Sequence, residues 1–477
     1  MTQTAAHGKT GNIYVSLIAG VAAMGGLLFG FDTAVINGAI VFLRAEFRLS
    51  EIQTEFAAGS LLAGCVFGAL TGGTLSDRLG RKKLLIASAA LFLFSAIGAA
   101  IPRDLSQFVV ARFIGGLAIG VASAMSPLYI AELAPAKIRG RLVTLNQLAI
   151  VVGILASFLV NWSLSSLGSS SWRWMFAVAA VPSFAFLVTL LLVPESPRWL
   201  LQKNRNDEAL AVAARISSPE EAALQMEIIG RAIAEEQATS IAALIRTPLR
   251  RPLIIAIALA VFSQITGINT ILYYGSLIFS EQVKTQSTSS ALWANVIIGA
   301  VNLLGTIAAI LLIDRAGRRP LLLAAVGGMG VTLFSLGFAF LIHPAPGVLI
   351  LFLILAYVGC FAVGLGPGSW LVMSELFPTH VRGRAMSIAT ISLWVACLLI
   401  TLTFLSMVSW LGASGAFWTY AVLCAVAFAF VWSAVPETKG RTLEEIQHSL
   451  LTARDDLSGG SVAGEATRSG STTPRVR

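Results

Sequence analysis

GGTLSDRLGRKKLL at 72–85 and AILLIDRAGRRPLL at 309–322 decide the architecture of this chain. Each is a short run of mixed charges and one glycine set between long apolar stretches, and Asp77 and Asp314 lie 237 residues apart. Two further pairs keep nearly the same offset. YIAELAPAKIRGR at 129–141 returns as VMSELFPTHVRGR at 372–384, so Glu132 matches Glu375 and Arg139 matches Arg382 at a spacing of 243. PESPR at 194–198 returns as PETKG at 436–440, a spacing of 242 that pairs Glu195 with Glu437. Three matched pairs in one order mark a duplicated unit, and one repeat is about half the chain.

Composition says what that unit is made of. Over 477 residues, AVILMFWYC account for 56%, charged residues for 12%, and mean hydropathy is +0.81. Soluble domains carry about 25% charged residues, so half that level implies a surface facing lipid. A soluble enzyme, a secreted disulfide scaffold and a disordered chain are excluded as readings of the whole. A membrane helix needs about 20 mostly apolar residues. Twelve stretches qualify, near 13–42, 55–75, 84–101, 106–131, 142–165, 174–193, 252–279, 290–313, 320–342, 347–373, 384–408 and 416–435, here numbered spans 1 to 12. Barrel strands are excluded, because each run exceeds the roughly 10 residues such a strand needs. The expected fold is an all-α membrane protein with 12 transmembrane helices in two six-helix bundles, 13–193 and 252–435. Between them, 194–251 reads as short amphipathic helices, one of them opened by Ser218 and Pro219. The tail, 436–477, turns polar and rich in Gly, Ser and Thr, and disorder is predicted after about 455.

Charge placement gives the orientation. Of 33 Lys and Arg, 27 fall on the side of the chain ends, five (Arg44, Arg48, Arg103, Arg173, Lys284) on the other, and Arg112 inside a span. The positive-inside rule then predicts cytoplasmic termini in a multi-pass cell-membrane protein. The net charge of +9 is thus a topology signal, and nucleic acid drops out as a partner. The polar start, MTQTAAHGKTGN, leads into a run too long for a signal peptide. Cys65, Cys360, Cys397 and Cys424 lie in apolar runs without paired spacing and read as small hydrophobes. His7, His343, His380 and His448 lie outside the apolar cores. With no HExxH, no metal cluster, no Walker A and no nucleophile–base set, the sequence predicts neither an enzyme nor a cofactor, and no obligatory protein partner is evident.

Ionisable groups within spans are costly, about 2.5–3.5 kcal/mol each at the bilayer centre, and so are usually paired or functional. Asp32 in span 1 and Arg112 in span 4 are the clearest. They read either as a static buried ion pair or as a carboxyl that takes up and releases a proton against a nearby guanidinium. The amides Gln147, Gln264, Asn269 and Asn302 also lie within apolar runs. An amide both gives and accepts hydrogen bonds, which suits a neutral polar ligand as well as a neighbouring helix. Trp172, Trp174 and Trp410, at span ends, read as interfacial anchors. The repeated acids and arginines (Asp77, Arg81, Glu132, Arg139 and Glu195, then Asp314, Arg318, Glu375, Arg382 and Glu437) read as gating ion pairs that form when helix ends close and break when they open.

Together these residues resemble the sugar porter family of the major facilitator superfamily. FGFDTAVINGA (29–39), ARFIGG (111–116), NQLAIVVGIL (146–155), VPESPRWLL (193–201), SQITGINTILYY (263–274) and GPGSWLVMSELFP (366–378) carry the likeness alongside the repeated motifs, over about 13–450. The resemblance implies alternating access to a central sugar site. It implies substrate contacts at Phe29, Gln147, Ile150, Ile154, Gln264, Asn269, Asn302, Gly366, Trp370 and Trp394, and an external gate at Tyr273 and Tyr274. It also implies proton coupling through Asp32 and Arg112, since proton-coupled bacterial members have this pair whereas animal glucose facilitators have asparagine at the first position. Ile150 and Ile154 on the face of Gln147 resemble hexose carriers. Ser263, where relatives have a second glutamine, and Leu393, where many have an amide, depart from the pattern. The expected activity is import of a monosaccharide, such as glucose, with a proton. The alternatives are a passive facilitator and a transporter-like sensor.

Overall fold

The computed structural model describes residues 2–135, 138–237, 249–283, 287–342 and 346–440. The tail beyond residue 440, which includes His448, and also Lys284 and His343 lie outside the described residues. Among the described residues, eleven helical stretches are long and apolar enough to cross a membrane, and the last, Val381–Ala434, is two helices meeting at Gly412, where φ is 71°. The twelve expected spans are therefore accounted for. Spans 1 to 5 are Thr2–Phe47, Glu51–Leu79, Arg81–Ala100, Leu105–Leu133 and Arg139–Leu164. Span 6 is broken into Ser171–Ala177 and Ala180–Leu192, and span 7 into Arg250–Ile265 and Ile268–Leu277. Spans 8 and 9 are Thr288–Ala316 and Arg318–Ala339. Span 10 runs Gly347–Cys360, a π-turn at Phe361–Leu365, then Gly366–Glu375. Short helices Pro197–Gln202, Asn206–Ala214 and Pro219–Gln237 follow span 6 as the amphipathic pattern predicts.

Two local readings need correction. The first connection, expected to hold about a dozen residues, holds three, 48–50. Ser50 and Gln53 form a reciprocal capping box that starts span 2 at once. Trp172 is not an interfacial anchor: it is fully buried, its indole N–H donates to Glu46 at 2.6 Å, and Arg173 lies 4.3 Å over its ring. Glu46 lies 126 positions before Trp172, so the sequence gives no local signal of this partnership. Trp174 and Trp410 are exposed, as anchors should be.

Small residues set how closely the spans approach. With lipid on the outside, helices associate through packing, and glycine lets backbones meet. A Cβ at Gly30 of span 1 would lie 1.8 Å from the Ile150 carbonyl oxygen of span 5, and one at Gly153 would lie 2.1 Å from that of Leu27. Either contact is impossible without moving a helix.

The repeated motifs build the same clamp twice, on the face that carries the chain ends. Arg81, at the start of span 3, grips Glu132 at the end of span 4 at 3.1 Å, and the Ser196 hydroxyl donates to the same carboxylate. Arg318, at the start of span 9, meets Glu375 of span 10 at 3.1 Å, and the Thr438 hydroxyl donates to it. Glu195 accepts from the backbone N–H groups of Arg81 and Lys82, both at 3.0 Å. Glu437 does so from Arg318 and Arg319 at 3.0 and 3.1 Å. A carboxylate delivered from a distant segment thus caps a helix start whose N–H groups have no intrahelical acceptor. Gly80 and Gly317 precede these starts at φ 97° and 89°, and a Cβ there would strike Glu195 or Glu437 at 2.3 or 2.8 Å. Arg139 and Arg382 donate to the carbonyls of Ala134 and Phe377. Asp77 and Asp314 pair with Arg81 and Arg318 but are largely exposed, so these two contacts contribute little. All these pairs lie within one half of the chain rather than between halves.

Two outcomes follow. Gly30→Ala should lower the midpoint of thermal unfolding in detergent by overpacking worth about 1–3 kcal/mol, whereas Gly73→Ala, with nothing within 4 Å of the new Cβ, should not. Burial raises the Glu437 carboxyl, but four backbone N–H donors outweigh it and hold the group below its ordinary 4.5. Its stabilisation is therefore present above pH 4.5 and lost as pH falls through the lower folded value. A pH series of unfolding midpoints should show a smaller acid loss in Glu437→Gln than in the parent.

Candidate functional site

The deepest charges form a contact between spans 1 and 4. Arg112, fully buried, donates to the Asp32 carboxylate at 2.6 Å and to the Asp32 carbonyl at 2.8 Å. Its guanidinium also lies 5.0 Å from the centre of the Phe176 ring, while its Nε is buried without a hydrogen-bond partner. Span 4 fits closely here: a Cβ at Gly115 would lie 3.0 Å from the second Asp32 oxygen. A buried pair of this kind gives little net stability, yet removing one member strands the other charge, at a cost of about 3–5 kcal/mol.

One residue before Gly30 on span 1, the two halves of the chain meet. Phe29 faces Trp394 of span 11 with ring centroids 5.4 Å apart. The Trp394 indole N–H is buried without a partner. From span 7, Asn269 donates to Gln264 Oε1 at 2.5 Å and to Cys397 Sγ at 3.1 Å, and the Tyr273 hydroxyl lies 3.8 Å from the same sulfur. Cys397 is one helical turn beyond Trp394, so Phe29, Trp394, Cys397, Tyr273, Asn269 and Gln264 form one continuous patch. The break in span 7 makes it possible. Gly267, at φ 94°, ends one helix and starts the next, placing Gln264 and Asn269 at facing ends.

The other expected contacts are distributed around this patch. Ile150 meets span 1 through its carbonyl at Gly30, beside Phe29, with Gln147 half-buried one turn earlier and Ile154 buried one turn later. Asn302 is buried in span 8, Trp370 is half-buried in span 10, and Gly366 follows the π-turn against the Phe361 ring. No direct side-chain hydrogen bond joins these residues to the patch among the described residues. Ser263 does not stand in for a long amide: its hydroxyl donates to Ala260 and accepts from Gln264. The two tyrosines part company, since Tyr274 stacks on Phe404 and donates to the Thr401 carbonyl.

Sequence reading missed the seal between the halves on the face away from the chain ends. Asn37 of span 1 donates to the carbonyls of Ile271 and Leu272 and to Asn295, and accepts from the Ser276 N–H at 3.0 Å. Glu55 of span 2, 2% exposed, accepts from the N–H and hydroxyl of Ser406 in span 11, both at 2.8 Å. Arg44 reaches Glu281 at 2.6 Å, and Trp162 meets Trp293 at 4.7 Å. Asn37 is an intramembrane amide inside FGFDTAVINGA, and Glu55 stands at the predicted edge of span 2, where a charge gives no sign of a distant partner. Cys397, read as inert, touches the polar patch.

Comparison with known proteins accords with this geometry. Residues 18–450 match the family model described as sugar (and other) transporter. The arabinose-proton symporter of Bacillus subtilis (strain 168) is 40% identical over 440 residues, covering 91% of this chain and 94% of that protein. The D-xylose-proton symporter of Escherichia coli (strain K12) is 38% identical over 472 residues, covering 91% and 95%. The xylose transporter XylE from E. coli, solved in a partially occluded inward open conformation, superposes with a TM-score of 0.80 at 36% identity over 90% of this chain and all of that one. These are transporters rather than enzymes, and this chain belongs to the sugar transporter family, as a multi-span membrane protein of the major facilitator fold.

Proposed function

We propose that this protein imports a monosaccharide together with a proton by alternating access, with both termini in the cytoplasm. The observation that carries this is the buried Asp32–Arg112 pair on the same span as Phe29, which packs on the far half of the molecule through Trp394. The sealed face, bridged by Asn37, Glu55 and Arg44, is then the external one, and the state described is inward-facing.

In this reading a proton on Asp32 removes the charge that Arg112 answers. Arg112 keeps its bond to the Asp32 carbonyl at 2.8 Å, so the guanidinium stays tethered to span 1 while its ion pair is released. A neutral Asp32 leaves the buried Arg112 charge without its counter-ion, which destabilises the present packing of spans 1 and 4 and favours their movement. Sugar hydroxyls replace internal bonds: Gln264 and Asn269 exchange their mutual bond for substrate, and the Trp394 N–H finds an acceptor. Phe29 and Trp394 cover an apolar sugar face.

Ile150, where a second long amide would reach into the site, supports a hexose. The printed names of the two relatives, arabinose and xylose symporters, support a pentose. External pH in lightly buffered, de-energised cells separates these readings. Addition of glucose, galactose, arabinose or xylose singly should alkalinise the medium with one of them. Asp32→Asn should abolish alkalinisation and accumulation while retaining sugar exchange. Sugar entry without a pH change in the parent would leave a facilitator with a static Asp32–Arg112 pair, and no response or entry for any of the four sugars would count against monosaccharide import itself.

A further inference from the structure

The break in span 7 leaves a defect in the backbone ladder. Beyond it, the Thr270 N–H bonds to the Gly267 carbonyl at 3.1 Å, the short register of a new helix start. The Thr266 carbonyl, which a continuous helix would have joined to that N–H, is answered from span 10: the Tyr357 hydroxyl donates to it at 2.9 Å. On the other side of the break, the Thr270 hydroxyl meets the Tyr420 hydroxyl of span 12 at 2.9 Å. The Tyr420 ring covers Gly267 so closely that a Cβ there would lie 2.7 Å from Cδ2. Both tyrosines are at most 1% exposed. An unanswered buried carbonyl costs about 1–3 kcal/mol, so each phenol has a defined task at the break.

We infer that Tyr357 and Tyr420 are positioning residues that hold the two pieces of span 7 at a fixed angle, and thereby set Gln264 and Asn269 for substrate. The inference rests on the sugar-transport reading, because Gln264 and Asn269 face substrate only under it. Neither phenol touches the polar patch itself. Tyr357 acts on the residue that follows Ile265, at the end of the helix bearing Gln264, and Tyr420 on the residue after Asn269. Loosening either bond lets the two amides drift relative to each other, which weakens sugar binding more than it slows the turnover of bound sugar.

The test uses the full-length protein in lipid nanodiscs and proteoliposomes. Tyr420→Phe and Tyr357→Phe keep the rings and remove only the oxygens. Each should raise the half-saturating concentration of the transported sugar about tenfold, with the maximal rate changed much less. Backbone amide exchange across 264–274 should accelerate in both variants, while that of spans 2 and 4 stays parental. Thr270→Ser should behave as the parent and Thr270→Val as Tyr420→Phe. The double variant Thr270→Val with Tyr420→Phe should be no worse than either alone, since one bond is lost in each case. Folded variants with parental half-saturation and parental exchange across 264–274 would overturn the inference. So would reduced folding yield with unchanged affinity in the protein that does fold, which marks packing alone. If the parent transports none of the sugars, the transport reading fails, and the exchange measurement still decides whether the phenols brace the break.

Discussion

In hydrocarbon no water answers a stray carbonyl or charge, and most of this architecture follows from that constraint. Where span 7 breaks and where spans 3 and 9 start, another part of the protein supplies the missing partner. Span 7 breaks where two phenols reach it. The starts of spans 3 and 9 are answered by carboxylates from beyond spans 6 and 12. Arg112 is admitted to the interior because Asp32 supplies both a carboxylate and a carbonyl.

The same rule separates what is fixed from what moves. Bonds within each half, such as Arg81–Glu132 and Arg318–Glu375, repeat with the duplication and hold three segments together in both copies. Bonds between halves are not repeated: Asn37 to span 7, Glu55 to Ser406 and Arg44 to Glu281 are each singular. A structure whose symmetric contacts lie within its units and whose asymmetric contacts lie between them has a natural plane of separation. The patch formed by Phe29, Trp394, Asn269 and Gln264 lies on that plane.

How much was legible in sequence depended on the range of the cause. Span number, chain duplication and the depth of Asp32 and Arg112 come from local hydropathy and from repeated strings, so they could be read directly. The pairing of Gln264 with Asn269 was within reach, since five residues and a glycine separate them. The partners of Asn37, Glu55 and Trp172 were not: they lie between 126 and 351 residues away, and no periodicity encodes them. The motif charges showed the intermediate case. Their spacing revealed the repeat, but not that the glutamates of PESPR and PETKG cap helices rather than reach across the molecule.

That capping has a consequence for how the chain is made. Span 3 starts at residue 81, yet the carboxylate that completes its first turn is residue 195, and span 9, starting at 318, waits for residue 437. During synthesis neither half can close its terminal-face clamp until its sixth span has left the ribosome. Completion of each half is therefore registered by its last translated segment. A message cut short before PETKG would yield a second half with all its spans but with the start of span 9 left without its carboxylate cap.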